Sequence, residues 1–233
     1  MATIKVLSAG AVQAMVVAIG AEFEQATGHK LDLNFDTAGA LRDRLRGGEA
    51  ADLACLPPQV VDALEKEGIL VPGSRIDLGR TVTGVVVKSG ATAPDISTPE
   101  AFKQALLNAK TVSYTDPKAG GSSGTFFRGL LQQLGLAEAV APKEVLGNRG
   151  VDVARLVAEG KAEFGTTFIS EILTVPGTQV VGPLPGELHN VNTYTGVIVA
   201  KSQQREAAAT LLQALTDPAN RARWIKAGLE PAF

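Results

Sequence analysis

The segment TVSYTDPKAGGSSGTFFRGLL, residues 111–131, contains the structural unit from which the rest of the fold can be worked out. Thr111 to Thr115 is a predicted strand, and Asp116 to Gly124 is a glycine-rich loop. The loop leads into a helix whose apolar face carries Phe127, Leu130, Leu131 and Leu134. A strand that leads into a helix through a short loop is typical of α/β folds.

The same alternation of strands and helices continues along the rest of the chain. Further strands are predicted at 4–8, 31–35, 51–56, 82–88, 144–146, 164–168 and 191–200. Further helices are predicted at 11–28, 40–46, 58–66, from 99 onward, at 152–159, 205–215 and 218–227. Such alternation indicates α/β layers around a mostly parallel sheet, so we predict the α/β class.

Composition excludes several classes of protein. The chain has 233 residues, of which 45% are hydrophobic and 20% charged, which is ordinary for a folded protein. Its formal net charge is −2, whereas a dedicated nucleic-acid binder needs a basic patch or stripe. Aromatic residues are scarce, at 5%, so a platform for stacking bases is not expected. We therefore expect no nucleic-acid partner.

Cysteine and histidine are too few for an intrachain disulfide or a structural zinc site. Cys55 is the single cysteine, and the two histidines are His29 and His189. Cys55 lies in the apolar run 53–56, which indicates a small buried hydrophobic side chain. We expect neither a metal nor a cofactor.

The apolar stretch from Ala11 to Ala21 superficially resembles a signal peptide. Its apolar residues recur at helical spacing, which favours an amphipathic helix; they are Val12, Met15, Val16, Ile19 and Phe23. No stretch approaches the roughly 18 apolar residues of a membrane span. We expect a cytoplasmic protein as the chain is given, or a periplasmic one if a signal peptide has been removed.

Three predicted loops share one design, in which a strand ends, small residues follow and a helix begins. Backbone N–H groups at a helix N-terminus, together with the helix dipole, attract an anion. The candidate ligand-binding residues in these loops are Ser8, Gly10, Ala11, Thr37, Ala38, Gly39, Ser122, Ser123, Gly124 and Thr125. The alternative is that the loops are ordinary, flexible connections with common helix caps.

Two further candidates lie outside these loops. Arg149 stands between a predicted strand and a predicted helix, where it could bind a carboxylate through two parallel hydrogen bonds. Ser170 follows the strand at 164–168 as a ligand contact or as a helix cap. For Arg149, as for Arg42 and Lys118, the alternative is a solvated surface charge.

Six segments, taken in order, resemble the molybdate-binding family of type II solute-binding proteins over nearly the full chain. They are Val6–Ala11, Phe35–Leu41, Gly48–Leu53, Gly84–Val87, the Asp116-Pro117 loop with Gly124, and Ala227–Leu229. The resemblance implies two three-layer α/β lobes joined by two crossing strands, with the ligand in the cleft. It also implies hinge closure and a membrane transporter as a partner. We further expect a monomeric protein.

By the same resemblance, lobe one comprises residues 1–80 plus 197–233, and lobe two comprises residues 84–192. The crossings then lie near 81–85 and 193–196. In an open α/β sheet, a ligand lies beyond the carboxyl ends of the strands, which is where the three loops are predicted.

The chain departs from the molybdate binders at three oxyanion-binding positions. Serines of that family align with Gly10 and Ala38, and a contributing tyrosine aligns with Phe168. Each missing hydrogen bond to a charged group costs about 1–3 kcal/mol. The resemblance with these departures favours a larger organic anion, such as a di- or tricarboxylate, over molybdate or tungstate.

A second interpretation is a cofactor-free enzyme. Some proteins that resemble molybdate binders are aconitate isomerases, which move a double bond in a tricarboxylate by proton transfer. That chemistry needs a general base within about 2.6–3.2 Å of an acidic C–H group, or one water away. The candidates are His189, Lys118, Asp36 and Tyr194, and none of them lies in a recognised motif.

Overall fold

The computed structural model describes residues 1–233 and divides them into two compact units. The first unit contains Met1–Arg80 and Asn192–Phe233, and the second contains Thr81–Val191. Strands and helices alternate in both units, so the predicted α/β class is confirmed. The predicted crossings near 81–85 and 193–196 stay a prediction.

The strands are β1 (Thr3–Ala9), β2 (Lys30–Asp36), β3 (Leu53–Leu56), β4 (Ile76–Lys88), β5 (Val112–Thr115), β6 (Glu144–Gly147), β7 (Phe164–Phe168), β8 (Thr178–Pro183), β9 (Val191–Ile198) and β10 (Glu230–Pro231). The helices are α1 (Gln13–Thr27), α2 (Ala38–Arg46), α3 (Pro58–Lys66), α4 (Pro99–Asn108), α5 (Ser122–Gln133), α6 (Ala137–Val140), α7 (Gly150–Ala158), α8 (Ile169–Ile172), α9 (Arg205–Leu215) and α10 (Arg221–Lys226). None of these helices combines the length and the apolar character that crossing a bilayer requires.

In the first unit, β1 lies between β2 and β3 and pairs in parallel with both. β9 runs antiparallel to β3, and β10 runs antiparallel to the first part of β4. All four residues of β3 are buried, as expected for a short strand inside a sheet. Cys55 on β3 pairs with Ser8 on β1, and burial raises the pKa of its thiol to about 12.

Helix α1 in this unit is amphipathic, as its spacing predicts. Its buried face carries Met15, Val16, Ile19 and Phe23. A short 3₁₀ turn at Gly10–Val12 precedes the helix, so the regular α-helix begins two residues later than expected from the sequence. It ends at Gly28, whose φ of +73° is a left-handed conformation that glycine adopts at little cost.

In the second unit, β5 lies between β6 and β7 and pairs in parallel with both. β7 and β8 both pair with β4 in the antiparallel sense, so the sheets are mixed rather than mostly parallel. The sequence pattern did not predict β8. The aromatic side chains of Phe102, Tyr114, Phe127 and Phe164 form the centre of the core of this unit.

The glycine-rich loop is shorter than predicted. It contains a 3₁₀ turn at Pro117–Ala119, and helix α5 begins at Ser122 rather than after Gly124. Gly124 therefore lies in the first turn of the helix, directly against the backbone of Thr115. The close packing of helix on strand offsets the low helix propensity of serine and glycine in this turn.

Candidate functional site

The first candidate segment of the first unit lies where β1 ends. Ser8 is fully buried, and its hydroxyl donates a hydrogen bond to the carbonyl oxygen of Ala9, 3.2 Å away. Gly10 and Ala11 lie in the following 3₁₀ turn, where Ala11 is buried and Gly10 is partly exposed. Of these three residues, only Ser8 carries a side-chain hydroxyl.

The second candidate segment begins helix α2. The Thr37 side-chain oxygen caps the helix by accepting a hydrogen bond from the backbone N–H of Ala40, at 3.2 Å. Ala38 is buried, and Gly39 follows it in the first turn. The structure thus places Thr37, Ala38 and Gly39 together at one helix N-terminus, as the sequence predicts.

Asp36, a candidate base, immediately precedes this helix. One oxygen of its carboxylate accepts the backbone N–H of Thr37 at 2.8 Å, and the other lies 3.9 Å from Arg44. Both oxygens therefore already have partners within the first unit. This arrangement suits a helix-start carboxylate at least as well as a base.

In the second unit, the first turn of α5 holds four candidates. The Ser123 hydroxyl is buried, 3.3 Å from that of Thr115. Ser122 is partly buried and Thr125 is exposed. The Thr125 N–H donates to the carbonyl of Gly121 at 3.0 Å, so the N–H groups that precede it belong to the open end of the helix.

Gly124 has a packing role as well. A Cβ atom at this position would overlap the carbonyl oxygen of Thr115 and lie 2.8 Å from its carbonyl carbon. The absence of a side chain therefore allows α5 to approach β5. The sequence alone does not predict this packing contact.

Arg149 is the residue immediately before helix α7. Its backbone N–H donates to the Asp152 carboxylate at 3.1 Å, and its Nε lies 3.5 Å from the same oxygen. Its side chain is 36% exposed, so the guanidinium keeps access to solvent and to a ligand. Arg155, one turn beyond Asp152, is 3.2 Å from the other oxygen of Asp152.

Phe168 and Ser170 lie where β7 passes into α8. Phe168 is buried, in agreement with an apolar replacement for a tyrosine. Ser170 is only 1% exposed, and its hydroxyl has no hydrogen-bond partner in the protein. Because a buried hydroxyl that forms no hydrogen bond is costly, this atom is a candidate donor to a bound molecule.

Glu171, the next residue, was not predicted as a functional residue. It is 6% exposed, and one carboxylate oxygen accepts a hydrogen bond from the Thr167 hydroxyl at 3.0 Å. Burial raises the pKa of its carboxyl to about 7; Asp152 adds to the increase, whereas Thr167 and Arg149 oppose it. A buried carboxyl that titrates near neutral pH is a common feature of functional sites.

Gly150 explains how this carboxylate fits. A Cβ atom on Gly150 would overlap both the Glu171 carboxylate and the Thr167 hydroxyl. Glu171 therefore rests against the first residue of α7, next to Arg149. The structure brings Arg149, Asp152 and Glu171 together in the second unit.

The remaining candidate bases lie on separate elements of the chain. Lys118 and His189 are both exposed and belong to the second unit. Lys118 lies in a 3₁₀ turn, and His189 follows another. Tyr194 lies in β9 of the first unit and is buried. No group of three or more His, Cys, Asp or Glu side chains is arranged to hold a metal ion.

Comparison with known proteins gives matches over nearly the whole chain. The sequence profile of a family described as bacterial extracellular solute-binding protein matches residues 4–230. The chain is 35% identical over 237 residues to an aconitate isomerase of a Pseudomonas species, covering 98% of this chain and 88% of the relative.

Two solved structures share the fold. The periplasmic molybdate-binding protein of Azotobacter vinelandii superposes with a TM-score of 0.77 at 17% identity, covering 97% of this chain and 98% of the other. The sulfate-binding protein SubI of Mycobacterium tuberculosis superposes with a TM-score of 0.75 at 17% identity, covering 100% and 88%. The fold resemblance predicted from the sequence is confirmed.

Proposed function

Because this chain belongs to the family of bacterial extracellular solute-binding proteins, we propose that it binds a small organic anion, a di- or tricarboxylate. The observation that carries the choice of ligand is the 35% identity, over almost the full chain, to a protein named for aconitate, which is a tricarboxylate. The chemistry of the candidate residues supports the same class of ligand.

The second unit offers three kinds of donor to a carboxylate. They are the guanidinium of Arg149, the unpartnered hydroxyl of Ser170 and the open N-terminus of α5 at Ser122 and Ser123. Arginine binds a carboxylate with two parallel hydrogen bonds. Replacement of three aligned hydroxyl side chains by Gly10, Ala38 and Phe168 also weighs against molybdate.

Substitution of Arg149 by alanine is expected to weaken binding of a tricarboxylate by about 10- to 100-fold, because a hydrogen-bonded charge pair with the ligand is lost. Arg155→Ala is the matched control, since Arg155 lies on α7, the helix that Arg149 precedes, contacts the same Asp152 and is more exposed, at 55%. Calorimetric titration with tricarballylate, a saturated tricarboxylate, measures both. Equal affinity of the wild type and Arg149→Ala would contradict the role of Arg149.

The class of ligand is tested by thermal unfolding in the presence of different anions. Citrate, tricarballylate and succinate are expected to raise the unfolding temperature at concentrations where molybdate and sulfate do not, because ligand binding stabilises the folded state. The variants Ser8→Ala in the first unit and Ser170→Ala in the second test whether each serine contributes to binding. A serine that binds the ligand is expected to make the rise in unfolding temperature smaller when it is replaced. Stabilisation by molybdate alone would overturn the assignment.

The second candidate function is the isomerisation of aconitate, which the identity to an aconitate isomerase favours. In this reaction a base removes a proton from the methylene carbon, and the C–H electrons form a new C=C bond. The electron pair of the former double bond takes a proton at the far carbon, so no atom is gained or lost. The candidate bases remain His189, Lys118, Asp36 and Tyr194.

Incubation of the purified protein with cis-aconitate separates the two candidates. An isomerase is expected to produce trans-aconitate at a rate well above that in buffer, measured by chromatography, because a positioned base typically contributes 10²–10⁴-fold. A rate equal to that in buffer, together with measurable affinity for aconitate, identifies the chain as a binder. Boiled protein is the control for catalysis by contaminating ions.

The family also supports a location and a partner. We propose that the protein is periplasmic and delivers its ligand to a membrane transporter. We also propose that the chain is a monomer. Fractionation of cells that express the native gene tests the location, and light scattering of the purified chain tests the oligomeric state.

A further inference from the structure

The buried carboxyl of Glu171 is the one strongly perturbed acidic group near the proposed ligand donors. It lies on α8, which packs against α7, β7 and β8. The charged residues of α7 that affect it are Asp152 and the adjoining Arg149, and Arg155 is paired with Asp152. From β7 it receives the Thr167 hydroxyl and the backbone N–H of Phe168, and β8 contains no charged residue.

This arrangement places an ionisable group against the residue that follows Arg149, the donor that would hold a carboxylate ligand. Gly150 follows Arg149 directly, and a Cβ atom on Gly150 would overlap both the Glu171 carboxylate and the Thr167 hydroxyl. An anion on the Arg149 guanidinium would therefore bring negative charge close to Glu171. It would also compete with the Asp152 carboxylate for the Arg149 guanidinium.

We propose that Glu171 takes up a proton from solvent when a carboxylate ligand binds at Arg149, so that ligand binding is coupled to pH through this side chain. The inference rests on the proposed function, because it requires an anion in the second unit. In this step one Glu171 oxygen gains a proton, and no covalent bond of the ligand changes. Neutralising the buried carboxyl removes its repulsion of the ligand.

The direction of the pH effect follows from linkage. The carboxyl of the free protein has a pKa of about 7, and a bound anion raises that pKa further. Below the pKa of the free protein the group is protonated with or without ligand, so affinity is constant. Above it, binding requires proton uptake, and affinity falls up to about tenfold per pH unit until the pKa of the complex is passed.

Calorimetric titration with tricarballylate at about pH 8, in phosphate and in Tris, measures the proton uptake, because the two buffers differ in ionisation enthalpy. The wild type is expected to take up close to one proton per ligand more than Glu171→Gln. The ligand's own ionisation is the same in both titrations and cancels. Glu171→Gln is also expected to lose the decline in affinity above neutral pH that the wild type displays.

Thr167→Val provides a second variant that retains the carboxyl. Removing a hydrogen bond that stabilises the charged form is expected to move the decline in affinity to higher pH. This variant decides the question if Glu171→Gln does not fold, as judged by circular dichroism.

Identical proton uptake and identical pH profiles in the wild type and the folded variants would overturn the inference while leaving the proposed function intact. No binding of any carboxylate by the wild type at any pH would overturn the proposed function, and the inference with it. The two failures are therefore distinguishable.

Discussion

Alanine in place of Gly124 is expected to lower the free energy of unfolding by about 2–4 kcal/mol. The new Cβ would overlap the carbonyl oxygen of Thr115, and this obstacle is backbone at the end of β5, a strand paired on both sides, rather than the end of a flexible side chain. Helix α5 must therefore move away from β5, which disturbs the packing of Phe127 on Tyr114. Urea unfolding followed by circular dichroism measures the loss.

Gly129→Ala is the matched control, because Gly129 lies in the same helix and a Cβ there meets no atom within 4 Å. This change is expected to stabilise the protein by about 0.5–1 kcal/mol, since alanine has the higher helix propensity. A loss below about 0.5 kcal/mol for Gly124→Ala would mean that the helix adjusts easily. In that case the approach of α5 to β5 would not require a glycine at this position.

Glutamine in place of Glu171 is expected to stabilise the protein by about 3 kcal/mol at pH 8 and to leave its stability unchanged near pH 4. The carboxyl has a pKa of about 7 when folded and 4.5 as the reference for the unfolded chain. The unfolded chain therefore loses its proton at lower pH than the folded protein. Stability falls as pH rises from about 4.5 to 7 and is then constant.

Glutamine removes this charge while retaining an oxygen that can accept the Thr167 hydrogen bond. Glu187→Gln is the control, because Glu187 is exposed and its replacement is expected to change stability by less than about 0.5 kcal/mol at either pH. Thermal unfolding at both pH values measures all three proteins. A loss of stability at pH 8 for Glu171→Gln would show that the ionised carboxylate is stabilised by its neighbours.

The sequence predicted most strands and helices because their signals are local. The apolar run 53–56 predicts a buried strand, and the structure buries all four of its residues. The helical spacing of Met15, Val16 and Ile19 predicts one buried helix face, which α1 has. Strand β8 gives a weaker signal, because Gly182 and Pro183 interrupt its short apolar centre. The start of α5 was placed too late because Ser122, Ser123 and Gly124 are poor helix formers whose conformation depends on packing against Thr115.

The candidate site was less accessible from sequence than the fold. Arg149 was recognised at a strand-to-helix junction, but its contact with Asp152 and its proximity to Glu171 are tertiary. The sequence does not predict that Glu171 is buried, because glutamate is seldom buried and the neighbouring residues form no pattern that indicates it. The contact between Gly150 and the Glu171 carboxylate is visible only in the structure. Glycine at the start of a helix occurs for several reasons, so Gly150 in the sequence does not predict a carboxylate beside it.

The buried thiol of Cys55 affects how the protein can be labelled with thiol reagents. With its pKa raised to about 12, it holds almost no thiolate at neutral pH, and maleimide reagents require the thiolate. A cysteine introduced on the exposed surface of either unit should thus accept a fluorophore selectively, without prior removal of the native one. The rate at which Cys55 itself is modified would then measure how often the pairing between β1 and β3 opens.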